Sequence, residues 1–264
     1  MKLCASYNTK NDALTEIRYP ASRLDLLIEQ LIDHADKIYI LEILSFEESN
    51  LKEAQLIDLC NENSHLIIDF YNKNDYIKFS TLIPHFMYHY PACTFNDLYW
   101  LMSFHPYAIT IGEPLIFNIK RARQAVNDMT PENNYTQIRI LPAIGRPSEW
   151  APLAALKHDN GINHFWLIPQ QLHIYEPYVD VLDLYDRNIE REQQLVKLYH
   201  KGTCNWGLNT LLRNCDISIP CELIPDEFTQ HRLNCEQRCM RGNNSCDYCN
   251  RQIRLVSAWL TSHS

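Results

Sequence analysis

At 264 residues, with 46% hydrophobic and 21% charged residues, the chain is long enough for one large domain or two smaller ones with a sizeable core. Its net charge of −8 excludes a protein that coats nucleic acid non-specifically over its whole surface. The 6 glycines (Gly112, Gly145, Gly161, Gly202, Gly207 and Gly242) build no GxGxxG, Walker-type or GxSxG loop, which excludes dinucleotide and P-loop nucleotide binding by those motifs.

In chain order, Met1 to Asn8 turns polar too soon for a signal peptide, so the expected compartment is a reducing cytoplasm. The longest apolar runs, such as Ile38 to Leu41, are too short to cross a membrane. Apolar runs and helical periodicity then alternate. A first strand spans Lys2–Ser6, and Leu24, Leu27, Ile28, Leu31 and Ala35 mark a helix. A second strand at Lys37–Ile43 precedes a helix from Asn50 to about Asn61. The third and fourth strands are His65–Phe70 and His85–Tyr90, and Thr94 is placed to cap a helix whose apolar face holds Leu98, Leu101 and Met102. A fifth strand, Ala108–Gly112, leads into a helix around Ile119–Val126. The sixth, Gln137–Leu141, precedes a short helical piece from Trp150 to Lys157. Phe165–Ile168 and Val179–Tyr185 are the seventh and eighth strands, and Ile189–His200 is the last helix.

Eight short strands separated mostly by helices predict an α/β chain with a (β/α)8, TIM-barrel-like body over residues 1–202. An open doubly wound sheet is the alternative. Continuous apolar runs such as Leu66-Ile67-Ile68 suit parallel strands buried on both faces. After Gly202 the rhythm stops, and residues 203–264 read as a cysteine-rich, metal-binding extension packed on the barrel.

In such a barrel, chemistry collects at the C-terminal ends of the strands. That rule selects Glu42, Asp69, Glu113 and Asp183 as carboxylates around one mouth, able to act as acid and base or to hold a hard cation. Capping of the following helices is the plainer role for each. Arg146, in Gly-Arg-Pro-Ser, is a candidate clamp for a phosphate or carboxylate. His85 and His89 fall on one face of a strand, as ligands, bases or buried structural histidines. Cys4 and Cys93 are isolated thiols.

Seven of the 10 cysteines lie between Cys204 and Cys249. Cys235, Cys239, Cys246 and Cys249 form a CxxxC pair followed by a CxxC pair, a tetrahedral ligand set for one zinc ion or one iron–sulfur cluster. Cys204, Cys215 and Cys221 are spaced more loosely. Five arginines between His231 and Arg254, among them Arg232, Arg238 and Arg241, face only Glu236 and Asp247. They either meet an anion such as nucleic acid or offset the charge of four thiolates.

The strand–turn–helix from Ala108 through Glu113 to Leu115, the helix opening Ile119 to Arg123 and the late cysteines resemble the U32 group, barrels formerly called collagenase-like peptidases. The resemblance implies a four-cysteine iron–sulfur centre and an oxygen-independent hydroxylase-like enzyme modifying a nucleic acid or a small aromatic precursor. Its substrate would sit near Glu42, Asp69, Glu113 and Arg146. The alternative from another class is a non-catalytic zinc-knuckle protein that binds nucleic acid or a protein partner.

Overall fold

The computed structural model describes residues 1–9, 11–33, 36–112, 115–132, 134–141, 167–185, 188–203 and 220–234, with 251, 254, 255, 258, 259 and 262. Eight parallel strands close into a barrel in strict sequence order. They are β1 (Lys2–Ser6), β2 (Glu16–Pro20), β3 (Ile38–Ile43), β4 (Leu66–Phe70), β5 (Phe86–Tyr88), β6 (Ala108–Ile111), β7 (Gln137–Ile140) and β8 (Val181–Asp183). Closure is made by β1 pairing with β8, with Cys4 opposite Asp183. Among the described residues, no helix is long and apolar enough to cross a membrane.

The predicted strand number matches, but one member is exchanged for another. Residues 16–20, between the first predicted strand and the first predicted helix, form β2 and fill the gap between β1 and β3. Of the predicted strand Phe165–Ile168, residues 165 and 166 lie outside the described residues, while Leu167 and Ile168 are buried, belong to no barrel strand and lead into a 3-10 turn at Pro169–Gln171. β7 pairs directly with β8 instead, with Arg139 opposite Val181. The physical reason for the first difference is that β2 is inverted relative to a familiar strand. Its charged residues, Glu16 and Arg18, are buried, while Ile17 packs on the core outside the barrel.

The helices surround this barrel. Among the described residues they include α1 (Leu24–Asp33), α2 (Glu53–Glu62), α3 (Lys73–Phe79), α4 (Phe95–Met102), α5 (Ile119–Met129), the single turn α6 (Leu172–Tyr175), α7 (Ile189–Lys201) and α8 (Asp226–Asn234). Their starts are set by local polar chemistry. Thr94 Oγ1 accepts from the Asp97 amide at 3.2 Å while Asp97 Oδ2 accepts from the Thr94 amide at 2.8 Å, a reciprocal cap for α4. Asn72 and Asn188 cap α3 and α7 through their side-chain oxygens. Gly202 ends α7 at φ 65°, the left-handed conformation that only glycine takes without strain. Ile119, Ala122 and Val126 put one apolar stripe of α5 against the strands.

Two cores result. The larger fills the space between the barrel and its helices, and a smaller one inside the barrel contains Cys4, Ile40, Ile67, Met87, Ala108 and Val181. The segment 220–234 sits on the barrel's outer layer. Phe228 and Leu233 are buried, Thr229 Oγ1 donates to Gln171 Oε1 at 2.7 Å, and Gln171 Nε2 donates to the Ile224 carbonyl at 2.8 Å.

Candidate functional site

Barrel interiors are ordinarily filled by branched apolar side chains. Here the small apolar belt is joined by a charged network that reaches the C-terminal mouth. β2 aims Arg18 into the barrel, where it is surrounded by carboxylates from three other strands. Arg18 Nε donates to Asp183 Oδ2 at 3.0 Å, and Nη2 donates to the same oxygen. Arg18 Nη1 donates to Asp69 Oδ2 at 2.6 Å and to Glu42 Oε1 at 3.1 Å. Strand register explains the convergence: Glu42 pairs with Asp69 on adjacent β3 and β4, and Pro20 of β2 pairs with Glu42.

A second guanidinium extends the network inward. Arg139 Nη1 donates to Glu16 Oε2 at 2.5 Å, and its Nη2 reaches Asp183 Oδ2 at 3.4 Å. Asp183 therefore bridges the two arginines. Both arginines and all four carboxylates (Glu16, Glu42, Asp69 and Asp183) are buried. Such a cluster survives removal from water only because each charge faces an opposite one.

The electrostatic consequences differ among the carboxylates. Burial pushes Glu42 up from the ordinary carboxylate value; Arg18 opposes this, and the negative charge of Asp69 adds to it. For Asp69, Arg18 and then His89 overcome the effect of burial and hold it below the ordinary range. For Asp183, burial is likewise overcome, by Arg18 and Arg139, and its value falls to about 2. Arg18 itself stays charged against its burial because Asp183 and Asp69 face it. Burial, with Asp183 adding to it, pushes the Cys4 thiol well up, so this residue is an inert filler of the barrel.

The rim above the charges is aromatic. His89 Nδ1 lies 3.1 Å from Asp69 Oδ2, and the imidazole stacks on the Tyr71 ring with centroids 3.5 Å apart and planes at 13°. Tyr71 donates its hydroxyl to Glu42 Oε1 at 3.1 Å. Tyr90 meets His89 edge-on and is 55% exposed. Tyr7 and Tyr19 stack at 5.0 Å in the core outside the barrel, and the exposed Tyr185 follows β8.

Of the residues selected from sequence, Glu42, Asp69 and Asp183 come together at the mouth. His89 joins them, whereas His85 packs edge-on against Tyr107, its pKa lowered by burial. Glu113, Arg146, Cys235, Cys239, Cys246 and Cys249 lie outside the described residues, as do Cys204, Cys215, Arg238 and Arg241. Sequence reasoning missed Arg18, the centre of the network, and Tyr71's hydrogen bond to Glu42. The available signal was the alternation Glu16-Ile17-Arg18-Tyr19, a period-two pattern ending at a proline. Glu42, Asp69 and His89 each offer one donor atom, all within 4.8 Å of one another, so they are the candidate cation ligands among the described residues.

Comparison with protein-family models, with curated proteins and with solved structures finds no match for this chain.

Proposed function

We propose that this protein is a barrel enzyme acting at its C-terminal mouth on a small planar ring compound, uncharged or cationic, rather than on a polyanion. The observation that carries this reading is the step formed by Tyr71, His89 and Tyr90 directly above the carboxylates Glu42 and Asp69. Aromatic faces hold flat rings by stacking and attract cations through their electron-rich faces. The rim carboxylate Glu42 accepts hydrogen bonds from ring N–H or amino groups, and with no cation bound the carboxylates repel phosphates. Arg18 does not reverse that preference, because its donors are already engaged by three carboxylates. Arg18 and the fully buried Asp69 are thus positioning residues, and Glu42 is the carboxylate that meets substrate.

The test is a binding survey by ligand-observed NMR with free nucleobases, nucleosides, aromatic amines and the matching nucleotides. Uncharged and cationic rings should bind, with affinity reduced in Tyr90→Ala. Equal binding of nucleotides and nucleosides, or no ring binding at all, would overturn the reading.

For the C-terminal cysteines, we propose that Cys235, Cys239, Cys246 and Cys249 hold one zinc ion or one iron–sulfur cluster. Four thiolates in two close pairs are the donor set that either centre takes. Elemental analysis with sulfide determination on protein purified without oxygen distinguishes zinc, iron with sulfide, and neither.

A further inference from the structure

The geometry points to a divalent-cation site at the barrel mouth, built by Glu42, Asp69 and His89 and suited to a first-row transition ion such as Mn2+. Three strands supply the ligands, from the ends of β3 and β4 and from just past β5. Their donor atoms lie within 4.8 Å of one another, so a small closure brings them around one ion with metal–ligand distances of about 2.0–2.2 Å.

The hydrogen-bond arrangement supports the assignment independently. Asp69 is fully buried, yet among the described residues only its Oδ2 is used, by Arg18 and His89, and its Oδ1 accepts no hydrogen bond. A buried carboxylate oxygen without a partner is costly and calls for a cation or a donor. Glu42 takes both of its bonds, from Arg18 and Tyr71, on Oε1. Each carboxylate therefore turns one oxygen to Arg18 and keeps the other.

Charge points the same way. Among the described residues of the buried network, four carboxylates (Glu16, Glu42, Asp69 and Asp183) face two guanidiniums, Arg18 and Arg139. A divalent ion at the mouth supplies positive charge beside Asp69 Oδ1; Glu16 Oε1, also unpartnered among the described residues, lies at the other end of the network, beside Arg139. His89 is 30% exposed at its side chain, which opens a path for the ion from solvent. One imidazole with two carboxylates favours manganese, iron or zinc over magnesium or calcium, whose sites are built of oxygen alone. Three protein ligands leave coordination positions open for water or substrate. The stacking of His89 on Tyr71 is compatible with this role, because ring nitrogens bind ions in the imidazole plane.

The test is Mn2+ titration of the full chain by calorimetry and electron paramagnetic resonance. Manganese is chosen because thiolates hold it poorly, so the C-terminal cysteines do not mask the result. The expected result is one Mn2+ per chain, with affinity falling by about tenfold or more in His89→Ala and in Glu42→Gln. His89 is partly exposed, so its variant is expected to keep the fold, which a thermal melt verifies. Absence of a Mn2+ site in the wild-type chain, or a site with affinity unchanged in both variants, would sink the assignment. Ring binding is measured separately on metal-free protein, so the cation site and the ring-binding reading can each fail alone.

Discussion

Arg18 Nη1 lies 2.6 Å from Asp69 Oδ2, although the two residues are 51 apart in sequence and stand on strands separated by β3. The contact crosses the barrel interior and makes Arg18 the counter-ion for carboxylates on β3, β4 and β8.

Removing that guanidinium should therefore cost far more than removing a surface arginine. Arg18→Met leaves Glu42, Asp69 and Asp183 buried without their shared partner. We expect a loss of about 3–5 kcal/mol in unfolding free energy by urea titration at neutral pH. Part of that loss should be recovered at lower pH, where the stranded carboxylates take up protons.

Asp183 predicts the acid limb of stability. Its folded value of about 2 lies below the ordinary aspartate value of 3.8, so the folded state binds the proton less readily than the unfolded one. The stabilisation is complete above the unfolded value and is lost as pH falls through about 2. Its size is roughly 2 kcal/mol. Asp183→Asn should flatten that part of the stability–pH curve, measured by thermal melts between neutral and strongly acidic pH.

Glu192, on α7, ties the first strand's exit to the outer layer. It is fully buried and its Oε1 accepts from the Ser6 amide at 3.1 Å, from Ser6 Oγ at 2.5 Å and from Thr9 Oγ1. Glu192→Ala leaves these donors without that partner and should destabilise by about 2–4 kcal/mol, read as a shift in the urea midpoint. Amide exchange at Ser6 should rise more than at Leu41, which is hydrogen-bonded within the sheet.

Gly112 gives a steric prediction. A Cβ built there would meet Pro91 Cβ at 2.9 Å and Cys93 Sγ at 3.2 Å, and the proline ring has little freedom to yield. Gly112→Ala should cost about 1–3 kcal/mol in unfolding free energy. Because β6 ends beside it, near the mouth, the same change should also weaken ring binding.

Burial makes Cys60 a silent thiol: it is 1% exposed, and burial pushes its value to about 12. Native protein treated with iodoacetamide at mildly alkaline pH should remain unmodified at Cys60 and Cys4 by peptide mass spectrometry. Both should react once the chain is unfolded.

The sequence alone determined the elements whose signals are local. Alternating apolar runs and helical stripes located seven of the eight barrel strands, and Thr94 marked a helix start through a cap that needs only nearby residues. Those signals work because backbone pairing, capping and amphipathic burial depend on nearby residues. The rule that chemistry gathers at strand ends likewise brought out Glu42, Asp69 and Asp183 before any contact was known. What only the tertiary structure decided is that these carboxylates share one cation, that β2 carries it, and that Leu167 and Ile168 lie outside the barrel. The reason is closure. Glu16 and Arg18 carry charges that nothing local in the sequence pairs; the barrel turns them inward, away from water, where partners on other strands are the condition for their burial.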